Sequence, residues 1–191
     1  MRIFVDTASL AEIEEWNRHP WVSGFTTNPT LMKGTVDGLG WAKELVSITD
    51  KPVSIDGPWD VWDLAPNVYR KVIKFPSKPA GPVNHTAICH AKQLHHHYRK
   101  TDIVSVFAGR IMDTGRNPQP LIDAAKDKGG LVLWASVREP FNILQAEQAG
   151  CDIVTVPPTI LRKYLDWHGK PLETVAEETI AQFEADRAGM W

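Results

Sequence analysis

The sequence predicts a (β/α)8 TIM-type barrel, an α/β fold of eight parallel strands closed on themselves with helices outside. Three observations carry this. Eight short apolar runs recur along the 191 residues, and most of the gaps between them hold apolar residues at three- and four-residue steps. The turn after the first run, "VDTASLAE", has no glycine, whereas the rival open, doubly wound sheet usually carries a glycine-rich phosphate loop there.

In chain order the runs are "RIFVDT" (2–7), "GFTTN" (24–28), "PVSIDG" (52–57), "VIKFP" (72–76), "VNHTAI" (83–88), "IVSVFAG" (103–109), "LVLWASV" (131–137) and "IVTVPP" (153–158). Helical patterns follow in "ASLAEIEEWN", "LGWAKELVSI", "CHAKQLHHHYRK", "QPLIDAAKDKG" and "EPFNILQAEQAG", the last two stopping at a glycine. Two connections break the rhythm. A parallel crossover takes about a dozen residues or more, yet six, "SKPAGP", separate Pro76 from Val83, and their prolines and glycine forbid a helix. "PWDVWDLAPNVYRK" leaves room for a turn or two. The helices after strands 3 and 4 are therefore expected to be shortened or missing, with Trp59 and Trp62 available to cap the bare side.

Composition excludes several classes. Hydrophobic residues make up 43% and charged residues 23%, with a formal net charge of -2, the balance of one soluble globular domain over 1–191. No basic cluster suggests a nucleic-acid partner. The start, "MRIFVDTASL", reads as neither signal peptide nor anchor, and no stretch is long enough to span a membrane, so a cytoplasmic location is expected. Cys89 and Cys151 have no metal-type spacing and read as reduced core residues. His95, His96 and His97 sit in a helical pattern, where neighbours point about 100° apart and cannot converge on one ion. His85 is expected to face the helix layer, opposite Thr86.

Nearly every run ends polar: Asp6, Thr26 with Thr27 and Asn28, Asp56, Lys74, Thr86, Arg110, and Ser136 with Arg138. Barrel enzymes build their sites at those C-terminal strand ends. Lys74 stands inside an apolar run, where an amine has two readings. It reaches past the strand end or pairs with an acid as a structural group, or an apolar shell lowers its pKa and makes it a nucleophile for a ketone or aldehyde. Asp6 and Asp56 on neighbouring strand ends tilt towards the second, because Schiff-base chemistry needs carboxyl groups to move protons.

The order "FVDTASLAEI", "GFTTNPTLM", "VSID", "VIKFP", "VNHTAI", "VFAGRIMDTG", "ASVRE" and "AGCDIVTVPP" resembles the small transaldolase and fructose-6-phosphate aldolase family over nearly the whole chain. The resemblance implies a class I enzyme without metal or other cofactor. Such an enzyme moves a three-carbon dihydroxyacetone unit from fructose 6-phosphate or sedoheptulose 7-phosphate to an aldose phosphate. By position, Lys74 takes the Schiff-base role and Asp6 the general acid/base role. Asp56, where the family has Glu or Gln, would hold a relay water with Thr86. Thr26 and Asn28 match contacts to the dihydroxyacetone hydroxyls, and Arg110, Ser136 and Arg138 match the phosphate-binding group. Phe107 stands where aldolase members carry a tyrosine and transaldolase members a phenylalanine, which favours transaldolase. An aldolase releasing free dihydroxyacetone and a non-catalytic sugar-phosphate-binding barrel stay as alternatives. The amphipathic tail "PLETVAEETIAQFEADRAGMW" (171–191) matches a terminal helix that packs on a neighbouring subunit, which implies a ring-based homo-oligomer, a pentamer or decamer.

Overall fold

A computed structural model describes residues 1–55, 64–72, 84–94 and 98–190, with backbone alone for 69–72, 84 and 85. Eight parallel strands close in sequence order: β1 (Arg2–Asp6), β2 (Val22–Thr26), β3 (Val53–Ile55), β4 (Val68–Val72), β5 (Asn84–Ile88), β6 (Ile103–Val106), β7 (Leu131–Trp134) and β8 (Ile153–Val156). Closure is the pairing of β1 with both β2 and β8, in which Asp6 is the register partner of Thr26 and Phe4 that of Thr155. The helices are α1 (Leu10–Asn17), α2 (Gly38–Ile48), α3 (Ala108–Asp113), α4 (Gln119–Lys126), α5 (Phe141–Gln148), α6 (Pro158–Trp167) and α7 (Leu172–Ala188).

Side chains alternate across each strand, and the alternation sorts the core into two clusters. Val5, Phe25, Val53, Val104, Val132, Trp134 and Val154 pack against the helices. Phe4, Ile103, Leu133, Ala135 and Ile153 fill the barrel interior, with Phe107 and Leu131 against them. Gly24, level with Phe4, is the small residue of this interior layer: a Cβ there would lie 2.7 Å from Phe4 Cζ and 2.7 Å from the Pro52 carbonyl oxygen. One step further up each strand, the same inward parity carries Asp6, Thr26 and Thr155.

The "VDTASLAE" turn is a helix start. The Ser9 side chain accepts from Glu12 N, while the Thr7 hydroxyl accepts from Ser9 N and donates to the Glu12 carboxylate at 2.5 Å. That tight β-to-α turn fixes the backbone just after Asp6.

Three expectations are corrected. The fourth strand begins at Val68, four residues before the expected start at 72, and is described as far as Val72; 73–83, with Lys74, lie outside the described residues. The residues that decide the helices after β3 and β4, with Trp59 and Trp62, lie outside the described ones, where Leu64–Asn67 forms a bend and a turn. The helical pattern at 89–100 yields one 3-10 turn, Ala91–Gln93, among the described residues. There the Gln93 Oε1 accepts from Cys89 N and His90 N, and Leu94 turns extended. His95–His97 and the His85 side chain lie outside the described residues. Cys89 is exposed rather than core, and Cys151 is buried, which pushes its thiol up to about 12. Helices α3 and α6, absent from the sequence reading, join the outer layer of the described residues. No described helix is long and apolar enough to cross a membrane.

Gly24→Ala places a methyl group against Phe4 inside the barrel and is expected to cost about 1–3 kcal/mol in urea unfolding. Phe4→Leu in the same chain should return part of that loss.

Candidate active site

The C-terminal rim of the barrel holds a cavity of about 430 Å³, within the range of small-molecule sites. Asp6, Asn28, Phe107, Arg110, Ser136 and Arg138 all line it, so six of the ten residues singled out in the sequence meet at one place. A larger groove of about 560 Å³ lies outside the barrel between Met112, Arg116, Gln119, Trp134 and Gln148. It opposes no acid to its one arginine and is not the candidate.

The floor is built on β1, β2 and β8. Thr26 Oγ1 donates to Asp6 Oδ1 at 2.7 Å and lies 2.6 Å from Thr155 Oγ1. Thr26 is fully buried and Thr155 is 4% exposed. Thr27, next along, spends its hydroxyl and its amide on the Ser54 carbonyl, at 2.9 and 3.0 Å, and so ties β2 to β3. Asn28 Oδ1 accepts from Thr30 N and Leu31 N, both at 3.0 Å, an Asx turn that shapes the cavity's outer loop.

The opposite wall joins α3 to the β7–α5 loop. Arg110 lies over the Phe107 ring with its Cζ 4.7 Å from the centroid, a cation–π contact that holds the guanidinium beside the cavity. Arg138 Nη2 donates to Asp113 Oδ2 at 2.8 Å, which leaves the rest of its fork for an anion. The Arg138 amide donates to buried Asn142 Oδ1 at 2.8 Å, pinning the loop at its base. Between the arginines Ser136 adopts φ +62°, a left-handed conformation that costs a residue with a Cβ about 1–3 kcal/mol. The fit is close: a Cβ on Gly109 would come within 1.7 Å of the Ser136 carbonyl oxygen. Only a glycine lets α3 approach the loop this far.

Thr86 is buried on β5, level with Val72 and Val104, and is not among the residues lining the cavity. Val104 faces the helices, so Thr86 shares that outward parity and the described geometry gives no support to its part in a water relay. Lys74 and Asp56 lie outside the described residues. Thr155, Gly109 and Asp113 were missed. A signal existed for Thr155: in "IVTVPP" it is the polar residue at the parity of Ile153.

The geometry defines a class first, a (β/α)8 enzyme working at the carboxyl ends of its strands, where a carboxyl group opposes a cationic wall. A family model described as Transaldolase/Fructose-6-phosphate aldolase matches residues 70–190. A probable transaldolase of Methanococcus maripaludis is 31% identical, with 97% of each chain covered. One of Clostridioides difficile is 30% identical over 91% of this chain and all of its own length. One of Thermoplasma volcanium is 31% identical over 85% of this chain and 86% of the relative. The chain belongs to the transaldolase/fructose-6-phosphate aldolase family, and its activity is of the aldolase type.

Gly109→Ala forces α3 off the Ser136 carbonyl and should cost about 2 kcal/mol or more of stability. Gly38→Ala at the start of α2, where nothing lies within 4 Å, should stay within about 0.5 kcal/mol of the parent. Paired thermal melts of the two variants check the contrast.

Proposed function

We propose that the chain is a transaldolase, transferring a three-carbon dihydroxyacetone unit between sugar phosphates through a Schiff base on Lys74. The observation that carries this reading is the cavity itself: Asp6, seated on Thr26, faces Arg110 and Arg138 across a space of about 430 Å³. A ketose phosphate carries its anion at one end and the bond to be broken near the other, so an acid on one wall and guanidiniums on the opposite wall fit its two ends.

In this reading the Lys74 amine adds to the donor ketone and, with loss of water, becomes an iminium. Asp6 removes the proton of the hydroxyl on the second carbon from the iminium carbon, and the bond between that carbon and the one next to the iminium breaks. The released carbon leaves as the aldehyde of an aldose phosphate, and three carbons stay on the lysine as an enamine. Asp56 has the role of a proton-relay residue. Phe107, which lines the cavity without a hydroxyl, has no proton to give the enamine, so the enamine persists until an acceptor aldehyde arrives. Asn28 holds the hydroxyls of the three-carbon unit, and Ser136 joins the two arginines on the phosphate.

The homo-oligomer belongs to the same proposal. No residue of α7 is buried, and Leu172, Ile180 and Phe183 are 79%, 58% and 63% exposed. An apolar stripe left this open supports a tail that packs on a neighbouring subunit.

Incubation with fructose 6-phosphate and borohydride should add mass at Lys74; no adduct, or one elsewhere, ends the Schiff-base reading. Arg138→Ala should raise KM for fructose 6-phosphate by about tenfold, given a charge-assisted contact at a half-exposed site, and leave free dihydroxyacetone unaffected. Phe107→Tyr should increase release of free dihydroxyacetone when no acceptor is supplied. Deleting residues 171–191 should lower the solution mass by whole subunits, as read by light scattering.

A further inference from the structure

The geometry points to Thr155 as a positioning residue for Asp6, an inference that rests on the proton-transfer role proposed for Asp6 above. A threonine hydroxyl has one proton and two lone pairs, and an ionised carboxylate only accepts. Thr26 lies 2.7 Å from Asp6 Oδ1 and 2.6 Å from Thr155 Oγ1, so it sits between two oxygens with a single proton to give. That proton goes to Asp6. The proton in the second bond must then come from Thr155, and the chain runs in one direction, Thr155 to Thr26 to Asp6.

Both hydroxyls are more than nine-tenths buried, where a rotor left without its partner is costly and each bond polarises the next. Thr155 thereby stops the Thr26 hydroxyl from turning towards another acceptor. It commits Oδ1 of Asp6 to being held. The three residues come from β8, β2 and β1, the strands whose pairing closes the barrel, so the chain spans the closing seam. Thr155 also lines the cavity, but it has no proton left to donate there.

Thr155→Val keeps the shape and removes the hydroxyl, and Thr155→Ser keeps the hydroxyl and removes the methyl. With fructose 6-phosphate as donor and erythrose 4-phosphate as acceptor, Thr155→Val should lower kcat by about tenfold, since a proton-transfer group acts in the transition state. KM should stay within about twofold, and Thr155→Ser should restore kcat to within about twofold of the parent, as expected when ground-state binding is untouched. Thr155→Ala carries the same expectation as Val if the valine variant fails to fold. Borohydride adducts at Lys74 should form in the parent and in every variant. A parent-like kcat in Thr155→Val, or a loss in Thr155→Ser as large as in Thr155→Val, overturns the inference while the adducts leave the Schiff-base reading standing. Absence of an adduct in the parent removes the Schiff-base reading and this inference with it.

Discussion

A closed parallel barrel allows alternate residues of each strand to reach its axis, and space on that axis limits how many large ones fit. Phe4, Ile103, Leu133 and Ile153 occupy the lower level, with Gly24 yielding room to the Phe4 ring. Each fully buried side chain of this kind contributes about 1.5–3 kcal/mol. Among the described residues these side chains fill the interior beneath the cavity, which lies towards the carboxyl ends of the strands. Asp6, Thr26 and Thr155 stand on the level above because they are two residues further along β1, β2 and β8 at the same parity. The position of the candidate site is thus a result of how the interior is filled.

The cationic wall has a different physical origin. It depends on two backbone conformations rather than on strand parity: the left-handed Ser136 and the side-chain-free Gly109 that meets its carbonyl. Strain of this kind persists when its surroundings hold it, and here Asn142 below and the Asp113–Arg138 pair above do so. An exposed ion pair contributes little to stability, and its effect here is directional: it aims one edge of the guanidinium and leaves the others to the cavity.

The eight strands were legible because an apolar run bounded by polar ends is a strong local signal. The start of β4 was missed for the same reason: "VYRKV" carries two basic residues and reads as connection, yet it pairs with β3 and β5. Helix α3 is six residues long and too short for periodicity to show. Helix α6 begins at Pro157–Pro158, and prolines read as a stop although the first helical position favours one. Asp6, Asn28, Arg110 and Arg138 were found as polar strand ends. Gly109 escaped because nothing local marks a glycine whose reason is a carbonyl twenty-seven residues away.

The two sides of the cavity differ in how they can change. On the α3 side, backbone meets backbone at Gly109 and Ser136, so a larger side chain there displaces a whole helix. On the other side, Pro29, Thr30 and Leu31 are exposed and held mainly by the Asn28 side chain. Selection for a new substrate, in nature or in the laboratory, therefore has one cheap direction. The Pro29–Leu31 loop can be reshaped at little structural cost, while the wall built on Gly109 and Ser136 resists change.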